Sequence, residues 1–203
     1  RVETPRVCFV GTASGDAVAY EERFVAAFEG RARTSVLRLF DREVADLDAF
    51  LADTDVVYVG GGSTVNLLAV WRAHGLDLAL RRAYEAGVVM AGVSAGANCW
   101  FGRSTTDSWL LGRADPLTDG LGWLEGGMCP HYLAEPSRRP QLLELVANGF
   151  GETYGVDDGV ALHLVDERLV GAVSARGDAR AVFVRQDEQG RVVEDELRVS
   201  GLT

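Results

Sequence analysis

The strongest constraint on this chain is an alternation, through its first half, between short apolar runs and helix-compatible stretches. Residues 7–10, 36–40, 56–59 and 88–93 are apolar runs of strand length. The segments between them are helical in character. Residues 16–28 place Phe24, Val25 and Phe28 at helical spacing, with Gly30 as a stop. Val44, Leu47 and Leu51 fall at i, i+3 and i+7 of a second helix. Ser63 or Thr64 caps a third, whose apolar face is Leu67, Leu68 and Trp71 and which closes near Gly75. Residues 77–86 give a fourth, ended by Gly87. Apolar strands separated by helices are buried on both faces, so the expectation is an α/β fold, a mostly parallel sheet flanked by helices.

The pattern changes after residue 155. Residues 160–165 and 169–173 are short β runs around Asp166-Glu167, and residues 181–184 and 191–193 flank a turn at Gln189-Gly190. These predict β-hairpins in a C-terminal part spanning about 156–203, attached to a single α/β domain over 1–203. The charged residues 194–198 read as a solvated edge.

Composition narrows the function. A net charge of −10 argues against binding nucleic acid, whose phosphates reward Lys and Arg clusters. No apolar run approaches the ~18 residues a membrane helix needs. No signal-peptide pattern is visible, and the expected location is the cytoplasm. Cys8, Cys99 and Cys129 are odd in number and lack metal-ligand spacing, so they read as buried structural thiols.

One motif carries chemistry. Gly92-Val93-Ser94-Ala95-Gly96 follows an apolar strand and precedes a helix-compatible segment, residues 95–101. A strand-to-helix turn this sharp needs small neighbours, lifts the serine hydroxyl above the sheet, and aims helix N-terminal amides at developing negative charge. A serine needs a base. His74 sits at a predicted helix end and His163 within a β run, whereas His131 lies in an irregular, proline-stiffened segment and is the candidate. Asp158, beside Gly159, and Asp107, in Thr105-Thr106-Asp107-Ser108, both qualify as the carboxylate that orients the histidine. Gly60-Gly61-Gly62 lacks the spacing of a dinucleotide loop and no Walker lysine follows it, so it reads as an oxyanion hole with Gly61, Gly62 and Ala95 as donors.

Three stretches in order resemble the peptidase E family of serine peptidases, which has the class-I glutamine amidotransferase-like fold. They are the glycine-rich segment from Tyr58 to Leu68, Ala91-Gly92-Val93-Ser94-Ala95-Gly96-Ala97-Asn98, and Asp119-Gly120-Leu121-Gly122 followed by Cys129-Pro130-His131-Tyr132. The resemblance implies Ser94 as nucleophile and His131 as base. The third member would be Asp158, where the family often has glutamate, with Asp107 as the rival. It implies hydrolysis of short peptides, dipeptides with N-terminal Asp among them, without cofactor or metal. Arg138, better matched than Arg139, would receive the aspartyl carboxylate. The expected partner is the peptide alone, with neither nucleic acid nor membrane, and a homodimer is allowed. The alternatives are a cyanophycinase-like or other amidase, and a non-catalytic binder of an acidic metabolite or peptide.

Overall fold

The computed structural model describes residues 4–202, and the chain divides into two compact units, one up to Ala97 and one from Asn98 onward. In the first unit the order is β1 (Arg6–Val10), a 3-10 turn (Thr12–Ser14), α1 (Val18–Phe28), β2 (Arg33–Leu37), α2 (Leu47–Ala52), β3 (Val56–Val59), α3 (Thr64–His74), α4 (Leu76–Glu85) and β4 (Val89–Gly92). The four strands form one parallel sheet in the order β2-β1-β3-β4. Successive residues of β1 bury on opposite faces, as a covered parallel sheet demands. Val7 and Phe9 cluster with Phe24 of α1, where the Phe9 and Phe24 rings stack at 4.9 Å. Cys8 and Val10 are sealed too, and Leu67, Leu68, Trp71 and Leu80 of α3 and α4 are likewise buried.

Local chemistry sets the ends. Ser63 accepts the Asn66 N–H at 3.2 Å and so caps α3, and Gly75 ends that helix in the left-handed region at φ 70°. The expected strand at 36–40 forms at Arg33–Leu37 instead, because this edge strand alternates exposed Arg33 and Ser35 with half-buried neighbours. The second helix begins only at Leu47, where the Asp46 carboxylate accepts the Ala49 N–H at 2.9 Å.

After β4 comes α5 (Ala95–Asn98), far shorter than the helix expected over 95–101. The second unit then holds β5 (Phe101–Thr106), β6 (Asp115–Leu117), β7 (Leu124–Pro130), α6 (Arg138–Ala147), β8 (Thr153–Val156), β9 (Val160–Val165), β10 (Arg168–Ser174), β11 (Ala181–Gln186), β12 (Val192–Glu196) and β13 (Val199–Gly201). Its six-stranded sheet runs β12-β11-β8-β7-β5-β6, and β13-β10-β9 form a smaller one. The expected hairpins are both present. Asp166 and Glu167 take the paired positive φ values of a tight turn between β9 and β10, while β11 and β12 pair antiparallel.

Within the six-stranded sheet β5, β7 and β8 are parallel, with Ser104 opposite Met128 and Pro130 opposite Val156. Their carboxyl ends therefore leave the sheet at one edge. Asp107, His131 and the Asp157-Asp158 turn follow directly from those three ends. Among the described residues no helix is long and apolar enough to cross a membrane.

Candidate active site

In the first unit the Ser94 turn is built from near-contacts of backbone on backbone. Ser94 itself is left-handed at φ 54°, an uncommon conformation for a residue with a side chain. The turn is closed by the Gly96 N–H donating to the Val93 carbonyl and the Ala97 N–H to the Ser94 carbonyl, both at 2.9 Å. The two motif glycines are steric requirements. A Cβ on Gly92 would lie 2.0 Å from the Gly96 oxygen, and one on Gly96 would lie 2.2 Å from the Val59 oxygen. The sequence pattern thus records how closely α5 presses on the ends of β3 and β4.

The glycine-rich segment runs past the same serine. A Cβ on Gly61 would stand 3.2 Å from the Ser94 Cβ and 3.8 Å from its Oγ. Gly62, at φ 140°, has no room for a side chain, because a Cβ there would meet the Ala13 oxygen at 2.1 Å. The three expected oxyanion donors differ in what engages them. The Gly61 N–H donates to the Tyr20 hydroxyl at 3.1 Å. The N–H groups of Gly62 and Ala95 make no hydrogen bond among the described residues, Ala95 being the first residue of α5. Tyr20 was not singled out in the sequence, since nothing in a helix-forming run marks one tyrosine as reaching a glycine loop.

In the second unit His131 also adopts left-handed backbone, at φ 57°, and its Nδ1 lies 2.6 Å from Oδ1 of Asp158. Asp107, the other candidate carboxylate, instead lies 3.5 Å from the Arg138 guanidinium. The turn bearing His131 is tied down on several sides. Tyr132 donates its N–H to the Val156 carbonyl at 3.2 Å, and Leu133 donates to the Asp157 carboxylate at 3.1 Å. The Tyr132 ring is buried against Gly155, where a Cβ would come within 2.8 Å. Its hydroxyl donates to Glu194 at 2.5 Å, and Arg139 pairs with the same carboxylate. Glu194 is therefore a partner within the unit and more than part of a solvated edge.

Arg138 opens α6 and is only 2% exposed. Its Nε donates to Glu135 at 2.6 Å, and its remaining nitrogens face the Thr105 carbonyl at 3.2 Å and Asp107. A guanidinium held this way anchors α6 to the end of β5. His74 closes α3 and His163 lies in β9, as their sequence contexts suggest. The three cysteines are buried and form no disulfide among the described residues. Burial pushes the Cys8 thiol up to about 12 and Cys129 up to about 11, and raises Cys99 as well, so none supplies a thiolate nucleophile.

An α/β chain with a strained serine at a strand–helix turn and a carboxylate-bound histidine has the parts of a serine hydrolase. Comparison with known proteins narrows the class. The family model for peptidase family S51 matches residues 1–171, and the chain belongs to that family of serine peptidases. It is 47% identical over 190 residues to the uncharacterized peptidase YgaJ of Bacillus subtilis, covering 92% of this chain and 80% of that protein. It is 30% identical over 171 residues to peptidase E of Streptomyces coelicolor, covering 78% of this chain and 70% of the relative. The crystal structure of a peptidase from an acI-B1 Actinobacterium shares the fold, with a TM-score of 0.66 at 18% identity over 96% of this chain and 81% of that one.

Proposed function

We propose that this peptidase hydrolyses short peptides, dipeptides with N-terminal Asp first among them, through an acyl-enzyme on Ser94. The observation that carries the reading is the 2.6 Å pairing of His131 Nδ1 with Asp158. That bond leaves Nε2 of the imidazole to act as base and holds the ring at the carboxyl edge of its sheet. Ser94 Oγ attacks the peptide carbonyl carbon while His131 takes its proton. The N–H groups of Gly62 and Ala95 receive the oxyanion, and the bare α-carbon of Gly61 lets the substrate approach the serine. His131 then gives its proton to the departing amine, leaving an ester on Ser94. Water, deprotonated by His131, attacks that ester and releases the acid. Asp158 stabilises the imidazolium in both halves.

The preference for N-terminal Asp is the finer part of the proposal and rests on likeness to peptidase E. Arg138 enters it as a positioning residue, because its donors are engaged by Glu135, Thr105 and Asp107.

Release of leucine from Asp-Leu, Glu-Leu, Ala-Leu and Arg-Leu, by wild type and Ser94→Ala, tests both parts. Cleavage confined to Asp-Leu and lost in the variant supports the proposal. Cleavage of another dipeptide keeps the mechanism and removes the Asp preference. Turnover that survives Ser94→Ala contradicts the mechanism.

A further inference from the structure

A peptidase for acidic dipeptides must offer a cation to a substrate carboxylate, and in a chain of net charge −10 that cation has to be local. Arg138 is spent on internal partners. The segment that follows β10 supplies another.

Arg176 lies directly over Gly159, the residue after Asp158. A Cβ on Gly159 would meet the Arg176 Cδ at 2.7 Å and its Cγ at 3.1 Å, so the glycine is the bed on which the arginine stem rests. The backbone beneath is fastened to the same turn. Ala175 donates its N–H to the Gly159 carbonyl at 3.2 Å. The buried Ser174 hydroxyl lies 3.0 Å from that carbonyl oxygen and accepts the Arg176 N–H at 2.9 Å. The Arg176 backbone is thereby fastened to the turn that follows Asp158, the carboxylate paired with His131, and its side chain is exposed. Among the described residues its side chain makes no hydrogen bond or ion pair, whereas nearby Arg180 is paired with Glu196. An arginine stem seated on a glycine with its fork unclaimed suits bidentate capture of a planar carboxylate.

We infer that Arg176 receives a carboxylate of the peptide substrate at the His131–Asp158 edge. The inference rests on the proposed peptidase chemistry and adds the residue that sets substrate charge. It lies beyond residues 1–171, the part of the chain that the family model matches. Two carboxylates share this chemistry, the acidic side chain before the scissile bond and the α-carboxylate of the released residue.

The test compares wild type with Arg176→Ala and Arg176→Lys on Asp-Leu, Asn-Leu, Asp-Leu amide and Ala-Leu. Arg176→Ala is expected to raise KM for Asp-Leu about 10- to 100-fold, the range for loss of a charge-assisted pair. Arg176→Lys is expected to recover part of the loss, and Tm to hold in both. If the side-chain carboxylate is the partner, the loss extends to Asp-Leu amide and spares Asn-Leu. If the α-carboxylate is the partner, it extends to Ala-Leu and spares the amide. In parallel, the thermal shift given by Asp-Leu is measured in Ser94→Ala with and without Arg176→Ala. Equal KM values in wild type and Arg176→Ala, or a thermal shift that is equal or absent in both backgrounds, overturns the inference. An Arg176-dependent thermal shift in the Ser94→Ala background, with a wild type that cleaves none of the peptides, upholds Arg176 and sinks only the dipeptidase reading.

Discussion

Replacing Gly96 by alanine puts the construction of the Ser94 turn to the test. The added Cβ would lie 2.2 Å from the Val59 carbonyl oxygen, 2.7 Å from its carbon and 2.8 Å from the Val59 Cβ. Comfortable contact needs about 3.5 Å, so α5 and the end of β3 must part by roughly 1 Å. Both neighbours are backbone or a buried strand residue, so neither swings aside as a flexible side chain would. Overpacking of this kind costs about 1–3 kcal/mol. The larger effect falls on chemistry. A displacement of about 1 Å at a reacting group costs on the order of 100-fold in rate, and α5 carries the Ala95 N–H one residue from Ser94. Gly30→Ala is the matched control. Gly30 has φ 69° with nothing within 4 Å, so alanine there adds only backbone strain, about 1 kcal/mol, before β2 at the opposite end of the sheet. The assay pairs thermal melts with kcat/KM on the best dipeptide. Gly96→Ala should lose about 100-fold in kcat/KM, and Gly30→Ala should lose stability alone. Gly96→Ala with the activity of Gly30→Ala would refute the steric account.

Further predictions concern the second unit and the sheet edge of the first. Asp158→Asn should lower kcat on the order of 10³- to 10⁴-fold with little change in Tm, since the imidazole loses the acceptor that orients it. Asp107→Asn should cost less than about tenfold, and kinetics of the two variants side by side distinguish the carboxylates. Tyr132→Phe removes a part-buried hydroxyl–carboxylate bond, and urea unfolding should show a loss of about 1.5 kcal/mol. The Arg6 side chain holds the Asp55 carboxyl down at about 2. A depressed carboxyl contributes stability that is complete above its unfolded value, about 3.9, and is lost as pH falls towards about 2. Acid titration should find that Asp55→Asn flattens the dependence of stability on pH in that window.

How much of this was legible in the sequence depended on how plainly each element displays its period. The strands β1 and β3 and the helices α3 and α4 announce themselves by apolar runs, a serine cap and closing glycines. Strands β5 and β7 do not. In β5, Phe101-Gly102-Arg103-Ser104-Thr105-Thr106 becomes a strand through pairing on both sides, while its own composition is mostly polar. In β7 two glycines, Gly126 and Gly127, mimic a loop, and Gly127 is tolerated because Thr153 of the neighbouring strand fills the space of its Cβ. Helix α6 hid behind Pro140, which breaks a helix interior yet fits within the first turn, where its missing N–H is not needed. The proposed nucleophile Ser94 and base His131 were readable as candidates because each sits in a short, distinctive setting. The choice between Asp158 and Asp107 was not. The ends of β5 and β8 both flank that of β7, and what separates the two carboxylates is the left-handed turn at His131, which pairs with Asp158, and the Arg138 guanidinium beside Asp107, contacts that no local motif records.

Active-site labelling with a fluorophosphonate, followed by peptide mapping, tests the central claim most directly. The account predicts one adduct, on Ser94, formed at a rate that collapses in His131→Gln. An adduct on another residue, or labelling of Ser94 that proceeds at the wild-type rate in His131→Gln, would contradict it.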